Sequence, residues 1–363
     1  MNIFLDSDFN LVSRINLLKN KSPKIGPMSV RFGLSRSCNF NCATCWNYSL
    51  LLKKSKPEEW KKVRIDKNLV FNTLDEISKM GCKTVLFSGA GEPFTHPNMM
   101  DFVKRAKKNG LIVRIQTNLS LLDDPIKLTD YMKDKRDIVC VNLMAANAET
   151  YIKIHSNQDK RIFYDILDKI KILKKGKVKV RFVYIVNKLN YREIPEALKL
   201  NKELGTTLHL ENMDFAPGEG VDSLSLNGAT KQRIIHKLIQ LKKNRKYYLE
   251  SNIGNYINQL RYSGLGIKKL RNCSIGFLYS IINEEGNVFY CYNKSKNFLM
   301  GNIKEQSLKD IWHSDKYQRF RNRLLKGNFL KECKECIERR GVNFKIRHLI
   351  DLRFTKHIFN KVS

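Results

Sequence analysis

Apolar residues along this chain follow two alternating rhythms. Short runs rich in β-branched and aromatic side chains predict strands over residues 28–34, 84–88, 112–117, 138–144, 178–186 and 207–213. Between them, the 3.6-residue period of amphipathic helices covers 67–79, 99–108, 126–133, 161–174 and 194–204. In the fourth of these helices Ile162, Ile166, Ile170 and Leu173 share one face, with lysines opposite. Gly81, Gly110, Gly176 and Gly205 stand where a left-handed residue closes a helix. Such strand–helix repetition predicts parallel strands with helices packed outside. Six units are too few for a closed eight-stranded barrel, so the expected fold class is α/β, a (βα)6 partial barrel.

The rhythm weakens after residue 213. Residues 216–226 read as a loop and 230–243 as a helix. From Cys273 the pattern changes to a hairpin, two short helical stretches and four more cysteines. The expected organisation is a lead-in over 1–27, the barrel over 28–225, a helical connector over 226–269, a small α+β module over 270–340 and a basic tail over 341–363. A lead-in this short is expected to leave no N-terminal domain for gripping a leader peptide.

Charge adds less than its size suggests. The 67 lysines and arginines exceed the 35 acidic residues by 32 over 363 residues. They are spread along the whole length beside abundant Asn and Ile, as compositional bias and solvated helix faces require. The densest stretches, 242–246 and 345–361, lack the aromatic-and-glycine signature of an RNA-binding sheet, so nucleic acid is not an expected partner. No apolar run approaches the roughly 18 residues of a membrane span. The first residues are acidic and interrupted too early for a secretory signal. Nine cysteines in two- and three-residue spacings read as metal ligands in a reduced cytoplasm rather than disulfides.

The chemistry lies at the predicted strand ends. Cys38, Cys42 and Cys45 follow the first strand as Cys-x3-Cys-x2-Cys. Three thiolates can hold three irons of a [4Fe–4S] cube and leave the fourth open, although zinc with one distant ligand fits the same spacing. After the second strand comes Ser88-Gly89-Ala90-Gly91-Glu92-Pro93, with glycines that admit close backbone approach and a carboxylate that can hold an ammonium. Gln116-Thr117-Asn118, Asn142 and Asn187 end the next three strands. Ligands of parallel α/β sheets collect at this carboxyl end. Further on, a hairpin brings Cys273 and Cys291 together, and Cys333 and Cys336 complete a four-thiolate site for [4Fe–4S] or zinc. Cys82 and Cys140 fall near strand starts and read as packed core thiols.

With these residues, chiefly the cysteine loop and Ala90-Gly91-Glu92-Pro93, the chain resembles the radical S-adenosylmethionine (radical SAM) superfamily. The resemblance implies a cluster on Cys38, Cys42 and Cys45, with S-adenosylmethionine on its fourth iron. Gly89, Gly91 and Glu92 would line the methionyl amine, and Asn118, Asn142 and Asn187 would contact ribose or carboxylate. A departure is Thr44, where an aromatic residue is common; Trp46 follows the third cysteine instead. Gly286-x4-Cys291, Gly301-Asn302-Ile303, Leu308-x2-Ile311-Trp312 and Phe320-Arg321 are similar to SPASM/twitch modules. They imply an auxiliary [4Fe–4S] cluster on Cys273, Cys291, Cys333 and Cys336; a full SPASM domain would carry further cysteines beyond these.

The activity so implied is one-electron cleavage of S-adenosylmethionine and hydrogen abstraction from a substrate C–H by the resulting 5′-deoxyadenosyl radical. Glu92 would bind rather than act as acid or base, and no catalytic side chain is assigned beyond the cluster ligands. A low-potential donor such as flavodoxin or ferredoxin is the expected electron source. A fully ligated auxiliary cluster passes electrons instead of binding substrate, and no spare thiol is expected at the mouth. Both favour net dehydrogenation of a polar small molecule such as a sugar or cyclitol. Peptide maturation or epimerisation is the alternative, RNA modification stands behind it, and a non-catalytic zinc-binding protein is the reading from a different class.

Overall fold

The computed structural model describes residues 25–213, 220–243, 247, 249–262, 273–291 and 296–333. Cys336 and the basic tail therefore lie outside the described residues. Nine strands form one sheet: β1 (Ser29–Gly33), β2 (Thr84–Ser88), β3 (Ile112–Thr117), β4 (Ile138–Val141), β5 (Lys179–Val186), β6 (Thr207–Asn212), β7 (Tyr279–Ile282), β8 (Asn287–Phe289) and β9 (Leu299–Asn302). Their spatial order is β6-β5-β4-β3-β2-β1-β7-β8-β9. The first six pair in parallel in chain order, which gives the (βα)6 partial barrel.

Alternation along the strands sorts the two faces. Val30 and Phe32, Val85 and Phe87, Val113 and Ile115, and Val139 and Val141 are fully buried in the main core. The helices that cover it are α1 (Lys67–Lys79), α2 (Met99–Lys108), α3 (Pro125–Tyr131), α4 (Ala148–Ile154), α5 (Lys160–Lys175) and α6 (Ile194–Glu203). The opposite face carries Ser29, Arg31, Arg114, Gln116, Cys140 and Arg181 among apolar neighbours, as an inward-turned lumen wall would. Helix starts follow local chemistry: the Asp66 and Asp159 side chains accept from the first free N–H groups of α1 and α5.

Three details differ from the sequence expectation. The fourth strand stops at Val141 rather than running to 144, because Leu143 N–H bonds back to Val141 O at 2.9 Å and Met144 takes φ 53°. Gly176 is not left-handed, its φ being −75°; Lys177 takes φ 64° instead. Glycine is needed at 176 for space, since a Cβ there would lie 2.4 Å from Thr129. Helix α4 went unread, although Asn147 caps it by accepting from Thr150 N–H.

The C-terminal segment joins the same sheet. β7 lies parallel to β1, pairing Ser29 with Tyr279 through to Phe32 with Ile282. The antiparallel β7–β8 pair therefore places its 283–286 turn at the carboxyl end of β1. On this side α9 (Leu308–His313) packs on β9, on α1 and on α10 (Asp315–Leu325), whereas at the opposite edge α7 (Gly228–Lys242) packs on α8 (Ile253–Tyr262), which lies against β6. The Glu76 carboxylate of α1 accepts from Leu308 and Lys309 N–H, both at 3.0 Å, so a barrel helix caps α9. Trp312 is fully buried and donates to Ile25 O at 2.9 Å. Arg321 stacks on Trp312 and Tyr317 at 4.2 and 4.1 Å and donates to Gly276 O.

Candidate active site

The cysteine loop is anchored by one apolar side chain. Phe40 is fully buried against Tyr151 and His155, and Ala43 N–H bonds to Ile154 O at 2.7 Å. Helix α4 thus holds the loop from behind. Each of the three sulfurs meets a nitrogen: Phe40 N–H lies 3.5 Å from Cys38 Sγ, Asn47 N–H 3.4 Å from Cys45 Sγ, and His155 Nδ1 3.0 Å from Cys42 Sγ. Burial pushes the Cys38 thiol up to about 12 and raises Cys42 and Cys45 as well, and on Cys42 the neighbouring Cys45 and Cys38 add to it. Such thiols ionise only against a positive partner, and their N–H donors suit the thiolate form.

Three thiols on one short loop, each beside a nitrogen, match what an iron–sulfur cluster with one open corner requires. The donor set fits a cluster.

Beside it, Glu92 is buried, with 3 % of its surface exposed. Its Oε1 accepts from Thr117 Oγ1 at 2.6 Å and Phe94 N at 3.2 Å, and its Oε2 from Asn118 N at 2.7 Å. Burial raises its pKa to about 7 against the pull of those donors. A buried carboxyl fixed by neutral donors is suited to receive an ammonium. Glycine at 91 is obligatory: its Cβ would lie 2.0 Å from Ser37 O, while Gly91 N–H bonds to Ser35 O and Glu92 N–H to Ser37 O. The 89–92 loop therefore rests directly on the start of the cysteine loop.

The asparagines divide. Asn118 links the two loops, donating to Asn39 Oδ1 at 3.0 Å and accepting from Ser120. Asn142 carries a buried amide oxygen without a hydrogen-bond partner, an open acceptor at the end of β4. Asn187 is fully buried and uses its side chain within its own turn, donating to Ile185 O and accepting from Leu189 N. Thr44 is buried against Met144, and Trp46 is 60 % exposed. Cys273 is buried and Cys291 half-buried, and both thiols act on the buried Tyr290 phenol, whose pKa burial and then Cys273 raise. Cys333 is buried in the turn Lys331–Cys333.

His155 went unread as a site residue because it lies 113 positions from its sulfur. Burial drives its imidazole down to about 4, so the ring is neutral and carries one N–H. With the proton on Nδ1, the ring donates to the Cys42 thiolate. His155→Ala is therefore expected to lower the midpoint potential of the cluster on Cys42, since donors to ligand sulfur stabilise the more anionic reduced state. A redox titration followed by electron paramagnetic resonance checks this; an unchanged potential at unchanged iron content would leave His155 a packing residue.

A family model described as the radical SAM superfamily matches residues 33–200, and one described as an iron–sulfur cluster-binding (SPASM) domain matches 273–337. The chain belongs to the radical SAM superfamily and carries a SPASM-type auxiliary module at its C-terminal side. Its cofactors are thereby S-adenosylmethionine, the [4Fe–4S] cluster that binds it, and an auxiliary iron–sulfur cluster. The chain is 26 % identical over 303 residues to the AdoMet-dependent heme synthase of Methanosarcina barkeri, covering 79 % of this chain and 82 % of the relative. It is 26 % identical over 291 residues to the antilisterial bacteriocin subtilosin biosynthesis protein AlbA of Bacillus subtilis, covering 79 % and 60 %. Among solved structures, Streptococcus suis SuiB bound to S-adenosylmethionine shares the fold with a TM-score of 0.63 at 15 % identity, over 85 % of this chain and 72 % of that one.

Proposed function

We propose that this radical SAM enzyme is an oxidoreductase that dehydrogenates a polar small molecule such as a sugar or cyclitol. In this reading residues 28–225 form the reaction chamber and 270–340 the auxiliary module. When bound, the cofactor pair supplies the one-electron cleavage of S-adenosylmethionine that makes a hydrogen-abstracting group. Cys38, Cys42 and Cys45 would hold the first cluster. Glu92 and the backbone of 89–92 would orient the methionyl amine, and Asn142 offers an acceptor beside them. Cys273, Cys291, Cys333 and Cys336 would hold the auxiliary cluster, which would supply an electron acceptor at that site. A flavodoxin or ferredoxin in the cytoplasm would deliver the first.

The observation that carries oxidation is where the spare thiols stand. Epimerisation must return a hydrogen atom, and a thiol at the mouth is the usual source. Cys82 is buried ahead of β2, its thiol directed to Met28 O and Thr84 O, both at 3.4 Å. Cys140 is 2 % exposed and packs with Ile138 and Val183. Cys82 lies away from the strand ends beside Glu92. Cys140, expected near a strand start, is instead the third of the four residues of β4 and pairs with Gln116 close to the carboxyl end; it is buried among Ile138 and Val183 and so presents no open thiol. Among the described residues no helix is long and apolar enough to cross a membrane.

Peptide maturation is the second reading, supported by the relative named for bacteriocin biosynthesis and by the basic surface. Anaerobically reconstituted enzyme, given reductant and S-adenosylmethionine, is to be offered a panel of cyclitols and amino sugars alongside candidate peptides. The expected result is a small-molecule product lighter by two hydrogens, with 5′-deoxyadenosine formed in step. Turnover of peptides alone would move the assignment to the second reading, and solvent deuterium gained without hydrogen loss would overturn oxidation.

A further inference from the structure

One carboxylate from the C-terminal hairpin reaches into the 89–92 loop. Glu284 sits in the β7–β8 turn, and its side chain is 2 % exposed. Its Oε1 accepts from Ala90 N–H at 2.7 Å, across 194 residues of sequence. Arg36, just ahead of the cysteine loop, places Nε 3.7 Å from Glu284 Oε2 and Nη2 2.8 Å from Glu285 Oε1. The Arg36 guanidinium lies 5.0 Å from the centre of the Trp60 ring, which fixes it from the outside.

Space for this carboxylate is cleared at the end of β1, by Gly33. A Cβ on Gly33 would lie 2.5 Å from Glu284 Oε1, whereas one on Gly89 would meet Ser35 O at 2.5 Å and leave the carboxylate in ordinary contact. The turn itself is stiff: Asn283 Oδ1 accepts from Glu285 N and Asn287 N, and Gly286 takes φ 84°. A rigid turn, a matched void and a buried acceptor meet on the one backbone N–H that lies two residues before Glu92. Ala90 O is also engaged, by Asn47 Nδ2 at 2.9 Å. The peptide group of Ala90 is thus gripped from the cysteine loop on one side and from the C-terminal hairpin on the other.

We propose that Glu284 is a positioning residue for S-adenosylmethionine binding, through which the auxiliary module completes the 89–92 loop of the barrel. It acts through Ala90 and touches neither cofactor nor substrate. The inference rests on the reading of 89–92 as the methionyl-amine loop. It adds that the barrel alone, without the hairpin, presents Glu92 on a slack loop.

The test uses the full chain, reconstituted anaerobically, with S-adenosylmethionine affinity and iron content measured on each variant. Glu284→Ala is expected to weaken S-adenosylmethionine binding about 10- to 100-fold, as loss of a buried charge-assisted hydrogen bond does, at unchanged iron content. Glu284→Gln keeps an acceptor for Ala90 N–H and is expected to stay within about threefold of wild type. Glu285→Ala, which removes only the half-exposed partner of Arg36, is expected to do the same. Gly33→Ala displaces the carboxylate without touching the loop; it should weaken binding, and the Gly33→Ala/Glu284→Ala double variant should lose no more than Glu284→Ala alone. Wild-type affinity in Glu284→Ala, equal losses in Glu284→Ala and Glu285→Ala, or additive losses in the double variant would each overturn the proposal. If wild type itself binds no S-adenosylmethionine, the functional reading has failed instead, and the two failures are told apart by that control.

Discussion

Anaerobically reconstituted Cys42→Ala protein is expected to hold about four irons per chain where wild type holds about eight, and to release no 5′-deoxyadenosine under any reductant. Cys42 is the sulfur most embedded in the site. Its neighbours are the thiols of Cys38 and Cys45 and the ring of His155, and no other cysteine of the described chain stands there to replace it. Removing one of three ligands leaves a cube with two open corners, which does not persist. Because Phe40 and the Ala43–Ile154 hydrogen bond anchor the loop independently of the thiol, the chain should still fold. Circular dichroism checks that, and iron counting checks the prediction. Eight irons in the variant would remove Cys42 from the ligand set; the same substitution at Cys38 or Cys45 should behave alike.

The second large effect is expected at Glu92. Glu92→Ala removes the buried carboxylate that the 89–92 loop itself carries and strands the Asn118 and Phe94 N–H groups and the Thr117 hydroxyl it satisfies. Loss of an ion-paired hydrogen bond to the methionyl amine should weaken S-adenosylmethionine binding by about 100-fold or more, while each stranded donor costs about 1–3 kcal/mol of stability. Equilibrium binding under argon, on protein whose iron content matches wild type, measures the first; thermal unfolding measures the second.

A pH dependence follows with a definite sign. In the free enzyme burial raises Glu92 to about 7, so below that pH the group is protonated. An ammonium ligand requires the carboxylate, so affinity should be flat above about pH 7 and fall towards tenfold per pH unit below it. For the ligand-free protein, a carboxyl raised on folding contributes stability at low pH that is lost as pH rises from its unfolded value through about 7. A binding profile without an inflection between pH 6 and 8 would show that Glu92 does not meet the amine.

Much of the site was legible because its signals are local. Cys38, Cys42 and Cys45 declare themselves by spacing, and Glu92 by the glycines that surround it. Asn187 shows the limit of that logic: an amide at a strand end looks like a ligand contact, yet its side chain closes its own turn. His155 was invisible because nothing near it in sequence marks it, and the helix that carries it announced itself only through Asn147 as a cap. Glu284 looked like one more polar residue of a hairpin turn.

The sequence by itself determined most of the elements and the parallel order of the first six strands, and it marked out the cysteine spacings, because periodicity, capping and ligand spacing act over a few residues. Only the tertiary structure decided that β7 lies against β1, which brings the hairpin turn to the catalytic end of the barrel. It likewise decided that His155 meets Cys42 and that Glu284 meets Ala90. Those pairings span more than a hundred residues, and no local preference encodes them. They are fixed by which apolar faces must be buried together, and the polar contacts are held wherever that burial brings them.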